Sequence, residues 1–184
     1  VRNPFSRLLS AYLSRMAAPA DVESVEYEAV VEYLYGPKGK LEWIMGGRVR
    51  LNFTTFIRQL GENGNHPFRQ HVLWQQQAKE CALERLDIDF VGRLEQSEAD
   101  STAVLRKIGI PEETLPSADA INNPGTSAAS RLSEFYTPEL VEIVQKLYQG
   151  DFERFGYSLE LPSDAPASPA TRSASTGSTS IPKN

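Results

Sequence analysis

The chain has 184 residues, 40% hydrophobic and 23% charged, the composition of an ordinary globular domain. A net charge of −5 without any run of Lys or Arg argues against a protein that grips nucleic acid by its phosphates, yet leaves room for one small anion held by a few placed arginines. The single cysteine, Cys81, excludes an internal disulfide and a cysteine-based metal site, and it mildly favours a reducing compartment.

In chain order, the first element is a helix. Phe5, Leu8, Leu9, Tyr12, Leu13 and Met16 fall on one face, Asn3 suits the N-cap, and Pro4 suits the first helical position. Val1 and Arg2 then read as the tail of a strand. Val25 to Tyr35 has helical spacing, Gly36 to Gly39 is a turn, and Trp43 to Leu51 is strand or loop. Asn52 to Leu60 is a short helix stopped by Gly61, followed by a polar loop from Glu62 to His66. Gln70 to Leu86 is partly helical. Ile88, Phe90 and Val91 suit a short buried strand. Ser97 with Asp100 caps a helix running to about Ile108, with Gly109 at its C′ position. Pro111 to Ser130 is a long loop. Thr137-Pro138 opens the last helix, with Leu140, Val144, Leu147 and Tyr148 in one stripe and Gly150 at its end. Phe152, Phe155 and Tyr157 form an aromatic cluster that docks on the core. Residues 1–160 are the foldable part. The stretch from Leu161 to Asn184 is Ser, Pro, Ala and Thr, too poor in apolar surface to offset its ordering entropy, and is expected to be disordered.

The chemistry is concentrated at the start. Arg2 stands at a strand end and Ser10 on the helix that follows, with Arg7 and Ser10 three apart and so on one side. A guanidinium, a hydroxyl and the positive end of a helix can together hold one phosphate. Good helix capping alone would also account for Asn3 and Pro4.

The string Arg2-Asn3-Pro4-Phe5-Ser6-Arg7-Leu8-Leu9-Ser10-Ala11-Tyr12 resembles the element with which sulfotransferases that use 3′-phosphoadenylyl sulfate (PAPS) bind the 3′-phosphate of the donor. Two further blocks agree in order: Asp89-Phe90-Val91-Gly92-Arg93-Leu94-Glu95, and Leu147-Tyr148 through Asp151-Phe152 to Phe155-Gly156-Tyr157. The chain is therefore identified as a member of the PAPS-dependent carbohydrate sulfotransferases, meaning the chondroitin and HNK-1 types and their bacterial relatives. The resemblance implies an α/β, P-loop-like sulfotransferase fold: a parallel sheet flanked by helices, helix-rich in this C-terminal part.

It also implies roles. Arg2 and Ser10 would bind the 3′-phosphate, with Arg7 supporting them or packing structurally. The reaction implied is transfer of the sulfuryl group of PAPS to a hydroxyl of a carbohydrate acceptor. His71, close to Trp74, is the preferred acceptor-side residue, and Glu95 is a second candidate base. No metal is implied.

Two departures stand out. The family's Lys-bearing loop for the 5′-phosphosulfate is absent from these residues, so the chain, which opens on Val1, reads as a fragment lacking the first strand and that loop. It is expected to be inactive alone, with an unpaired sheet edge and exposed apolar surface. Paired cysteines ahead of the Asp89 block are also missing, since only Cys81 is present. The alternative is a truncated, non-catalytic nucleotide-binding module. A nucleotide kinase shares the general plan, but no Walker-type loop is visible. A bacterial member would be cytoplasmic; a eukaryotic one would face the Golgi lumen on a membrane anchor upstream of Val1, where Asn52-Phe53-Thr54 would be a glycosylation sequon. The expected partner is a glycan, held by the variable loops Gly61 to Gln70 and Pro111 to Ser130, and no nucleic acid.

Overall fold

The computed structural model describes residues 1–17, 32, 36, 51–62, 67–83, 85–110 and 127–163. Apart from Glu32, the helix expected over Val25 to Tyr35, the segment Trp43 to Arg50, most of the Pro111 to Ser130 loop and the tail beyond Ser163 lie outside them.

The first helix forms as its sequence dictates. Helix α1 spans Pro4–Arg15, and the Asn3 side chain accepts from the Phe5 N–H while Pro4 occupies the first turn. Its stripe of Phe5, Leu8, Leu9, Tyr12 and Met16 is buried. Helix α2, Phe53–Glu62, starts where Asn52 Oδ1 accepts from Thr55 N at 2.8 Å. It buries Phe53, Phe56, Ile57 and Leu60. Gly61 does not stop it. That glycine is inside the helix because α2 packs closely on a later helix: a Cβ at Gly61 would meet Ile143 Cγ2 at 2.9 Å.

A 3₁₀ turn, Pro67–Gln70, and a one-turn helix α3, Gln77–Glu80, follow. A second 3₁₀ turn, Leu94–Gln96, leads into α4, Ser97–Ile108, which ends on Gly109 in the left-handed region at φ 74°. The start of α4 differs from expectation. Ser97 is its first residue and makes no cap, while Asp100 reaches back to accept from Arg93 N at 2.6 Å. The expected buried strand at Ile88, Phe90 and Val91 is likewise corrected. No strand is assigned among the described residues, and these three side chains are 39–40% exposed. Just beyond this run, Gly92 and Leu94 make backbone bonds with Val1.

After the 3₁₀ turn Ala128–Ser130 come α5, Leu132–Phe135, α6, Pro138–Leu147, and α7, Gln149–Phe155. Thr137 caps α6 as expected. Its end comes earlier than Gly150, because Tyr148 leaves helical geometry (φ −117°, ψ 21°) and its carbonyl receives the N–H groups of Asp151 and Phe152. Gly150 lies inside α7. Among the described residues no helix is long and apolar enough to cross a membrane.

One core joins these helices. α2 runs along α6, α1 sits against α5 and the Ala128–Ser130 turn, and α7 closes on α3 and α6. Phe5 meets Tyr136 edge-on at 5.3 Å and Phe152 at 5.2 Å, while Phe56 meets Trp74 edge-on at 5.4 Å. Such pairs add to plain area burial. The buried phenols all find acceptors: Tyr12 donates to Leu51 O, Tyr136 to Phe5 O and Tyr148 to Trp74 O.

Burial raises the Tyr136 and Tyr148 phenols above their ordinary value of 10.0. Both bind their protons more tightly in the fold than in the unfolded chain, so their contribution is complete below about pH 10 and is lost as pH climbs further. The thermal midpoint should therefore fall steeply above about pH 10, and Tyr148→Phe should flatten that fall. A midpoint that stays level through this range, followed by circular dichroism, would contradict the assignment.

Candidate anion site at the start of the first helix

The N-terminal residues are held almost wholly by partners far along the chain. Val1 N donates to Gly92 O at 2.7 Å, and Leu94 N donates to Val1 O at 2.8 Å. Two bonds from one residue to the neighbours of another are the pattern of a parallel rung, here between Val1 and Arg93. Next, the Gln77 side-chain amide embraces the Arg2 backbone. Its Oε1 accepts from Arg2 N at 2.8 Å and its Nε2 donates to Arg2 O at 2.7 Å. Glu95 Oε1 then accepts from Asn3 N at 2.7 Å.

Each of these holders is held in turn. Asp151, fully buried on α7, accepts from Gln77 N at 2.7 Å and from Ala78 N at 3.0 Å, so it caps α3 from outside. Glu95 Oε2 accepts from the Tyr157 hydroxyl at 2.9 Å. Arg93 lies over the Tyr157 ring, 5.0 Å from its centre, and donates to Phe155 O. Gly156 lets Arg93 come this close. It takes φ +62°, and a Cβ there would sit 3.0 Å from the guanidinium.

The Arg2 guanidinium projects from this clamp. Among the described residues its one side-chain hydrogen bond is Nε to Ser6 Oγ at 3.1 Å, and Ser6 Oγ donates on to Asn3 O. Both terminal amino groups remain for a ligand. Partial burial lowers the group from its ordinary value, and the Glu95 carboxylate and Tyr157 phenol act the other way; an arginine there stays cationic. Ser6 and Ser10 are four apart on α1, so the two hydroxyls follow one another along one side of the helix. A half-buried cation with two free amino groups beside a helix start suits a phosphate.

Arg7 is used differently. Its guanidinium donates to Gln75 O at 2.5 Å and to Val72 O at 2.9 Å, tying α1 to the turn that carries His71. His71 is half-buried and stacks on Trp74, with ring centres 4.4 Å apart. Its Nδ1 accepts from Leu73 N at 3.3 Å, which in the neutral ring leaves the proton on Nε2. Arg2 stands just before α1, which carries Arg7 and Ser10; Arg7 ties that helix to the His71 turn, and Glu95 holds the backbone of Asn3. No hydrogen bond links His71 to Glu95 among the described residues.

Gln77, Asp151 and Tyr157 are the parts that sequence reasoning did not single out for the site. For Asp151 a signal was present: an acidic residue inside an aromatic stripe must find partners when buried. Gln77 carries no such mark. An open cleft of about 590 Å³, lined by Leu83, Leu86, Ile88, Val91, Arg93 and Arg154 among others, adjoins Val1, but Arg2, Ser10 and His71 do not line it. Among the described residues no cluster of His, Cys, Asp and Glu could hold a metal ion.

Carbohydrate sulfotransferase 12 of Mus musculus is 27% identical over 165 residues, covering 85% of this chain and 39% of the relative. Carbohydrate sulfotransferase 14 of Danio rerio is 29% identical over 166 residues, covering 86% and 43% respectively. Carbohydrate sulfotransferase 9 of Homo sapiens is 24% identical over 163 residues, covering 86% and 36%. The chain thus spans about two fifths of the length of these curated relatives. No solved structure matches. The model of the family described as "Sulfotransferase family" matches residues 1–158, which include every residue of the clamp around Arg2, and the chain belongs to that family.

Proposed function

We propose that this chain carries the 3′-phosphate side of the donor site of a sulfotransferase that moves the sulfuryl group of PAPS to a hydroxyl of a carbohydrate. The observation that carries the reading is the clamped Arg2, whose two terminal amino groups are left for an anion beside the start of α1. Family membership and the names of the relatives support sulfuryl transfer and a glycan acceptor. PAPS supplies the activated sulfur. The acceptor oxygen bonds to it and gives up its hydroxyl proton to a base, the bond between sulfur and the bridging phosphate oxygen breaks, and adenosine 3′,5′-bisphosphate leaves.

In this reading Arg2 neutralises the 3′-phosphate and Ser10 adds a hydroxyl contact. Arg7 keeps α1 and the His71 turn in register. His71 faces the acceptor, and its Nε2 proton makes it a hydrogen-bond donor in the tautomer the fold holds. To serve as the base it would first have to give up the Leu73 N contact.

The test is incorporation of labelled sulfate from PAPS into a panel of desulfated glycosaminoglycans. It is run on the longest natural chain containing these residues. Donor-dependent incorporation supports the reading. Binding of adenosine 3′,5′-bisphosphate without any transfer would instead favour a non-catalytic nucleotide-binding module.

A further inference from the structure

Three backbone atoms flank the Arg2 side chain: its own N–H, its own carbonyl and the N–H of Asn3. All three are bonded to side chains from remote segments, the first two to Gln77 and the third to Glu95. The peptide units on both sides of Arg2 are therefore fixed, and with them the direction in which its side chain leaves the backbone. Glu95 is itself tied at both oxygens, by Asn3 N and by the Tyr157 hydroxyl. Tyr157 is located by the Arg93 guanidinium over its ring, and Arg93 by Asp100 and the Phe155 carbonyl.

We propose that Glu95 and Tyr157 are positioning residues for the donor anion, acting through the Asn3 backbone on the aim of Arg2, and that Glu95 is not the base that takes the acceptor proton. A carboxylate spent on a backbone N–H and a phenol is oriented by the protein at both ends. The inference rests on the reading of Arg2 as a phosphate ligand. Burial and then the Glu95 carboxylate keep the Tyr157 phenol protonated, so it remains a donor at neutral pH.

The two roles predict opposite behaviour with adenosine 3′,5′-bisphosphate, which binds with no acceptor present. If Glu95 serves the acceptor, its loss leaves this binding unchanged. If it aims Arg2, Glu95→Ala weakens binding about tenfold, since small misplacements of a contact group are costly. Glu95→Gln keeps an acceptor for Asn3 N and a group that pairs with the Tyr157 oxygen, and it removes a negative charge beside the anion. It should recover most of the affinity lost in Glu95→Ala. Tyr157→Phe should fall between, at about threefold.

Calorimetry on the 184-residue chain, each variant held well below its own melting midpoint, reads the wild type, these three variants and Arg2→Ala. Wild-type affinity in Glu95→Ala, with binding still lost in Arg2→Ala, overturns the positioning role alone. Equal losses in Glu95→Ala and Glu95→Gln also overturn it. No binding by the wild type, or binding indifferent to Arg2→Ala, overturns the reading of Arg2 and this inference together. The ordered series of wild type, Gln, Phe at Tyr157 and Ala supports it.

Discussion

Arg2→Ala should weaken binding of adenosine 3′,5′-bisphosphate by about 100-fold or more. Hydrogen bonds to charged groups contribute about 1.5–3 kcal/mol each, and two terminal amino groups on one phosphate reach about 3 kcal/mol. At 1.4 kcal/mol per decade that is about two decades. Arg2→Lys keeps the charge but loses the planar fork and the Nε bond to Ser6, so it should recover only part of the affinity. The fold should hardly notice either change, because the clamp grips the Arg2 backbone and not its side chain. Calorimetry with a melting curve for each variant checks this. A variant that melts as the wild type does and still binds with wild-type affinity would remove Arg2 from the site.

Asp151→Ala should be among the most destabilising single changes to a polar residue, at about 3 kcal/mol. The carboxylate has no exposed surface and serves two backbone N–H groups at the start of α3. Its removal leaves both donors without partners in the interior, at about 1–3 kcal/mol each before any relaxation. Asp151→Asn keeps one accepting oxygen and should lose roughly half as much. Urea unfolding reads the difference as a shift in midpoint at constant slope. A loss below about 1 kcal/mol for the Ala variant would mean that α3 does not depend on this cap.

The two experiments bear on one chain of contacts. Asp151 fixes Gln77, Gln77 fixes the Arg2 backbone, and the Arg2 side chain meets the anion. Under conditions where it stays folded, Asp151→Ala should thus also weaken nucleotide binding, though less than Arg2→Ala does. That ordering separates a change in aim from the loss of the ligand-contacting group itself.

Much of this was legible locally. Asn3 before Pro4, then an apolar residue every third or fourth position, specifies α1 within a single window, and the structure has that helix with that cap. Thr137-Pro138 does the same for α6. Local signals failed where packing outweighed them. Gly61 looked like a helix stop, but α6 approaches there so closely that only a residue without a Cβ fits inside α2. Gly150 looked like another stop, yet the break falls at Tyr148, whose hydroxyl is drawn to the Trp74 carbonyl. The apolar run at Ile88 to Val91 has the composition of a buried strand, but the bonds there lie just beyond it: Gly92 and Leu94 pair with Val1, and Arg93 N donates to Asp100.

Taken by itself, the sequence determined the helices with strong caps and stripes, the absence of a disulfide within these 184 residues, and the family, through three blocks in order beginning with Arg2 to Tyr12. It also named Arg2 and Ser10 as the residues to watch. Only the tertiary structure decided how Arg2 is aimed. Gln77 lies 75 residues from it in the chain, and Glu95 lies 92 from Asn3. Caps and periodicity act over a few residues, where the backbone itself sets who can meet. Partners that far apart meet only once the core of α1, α2, α6 and α7 has closed, and a side-chain amide or carboxylate leaves no periodic trace of where it will end.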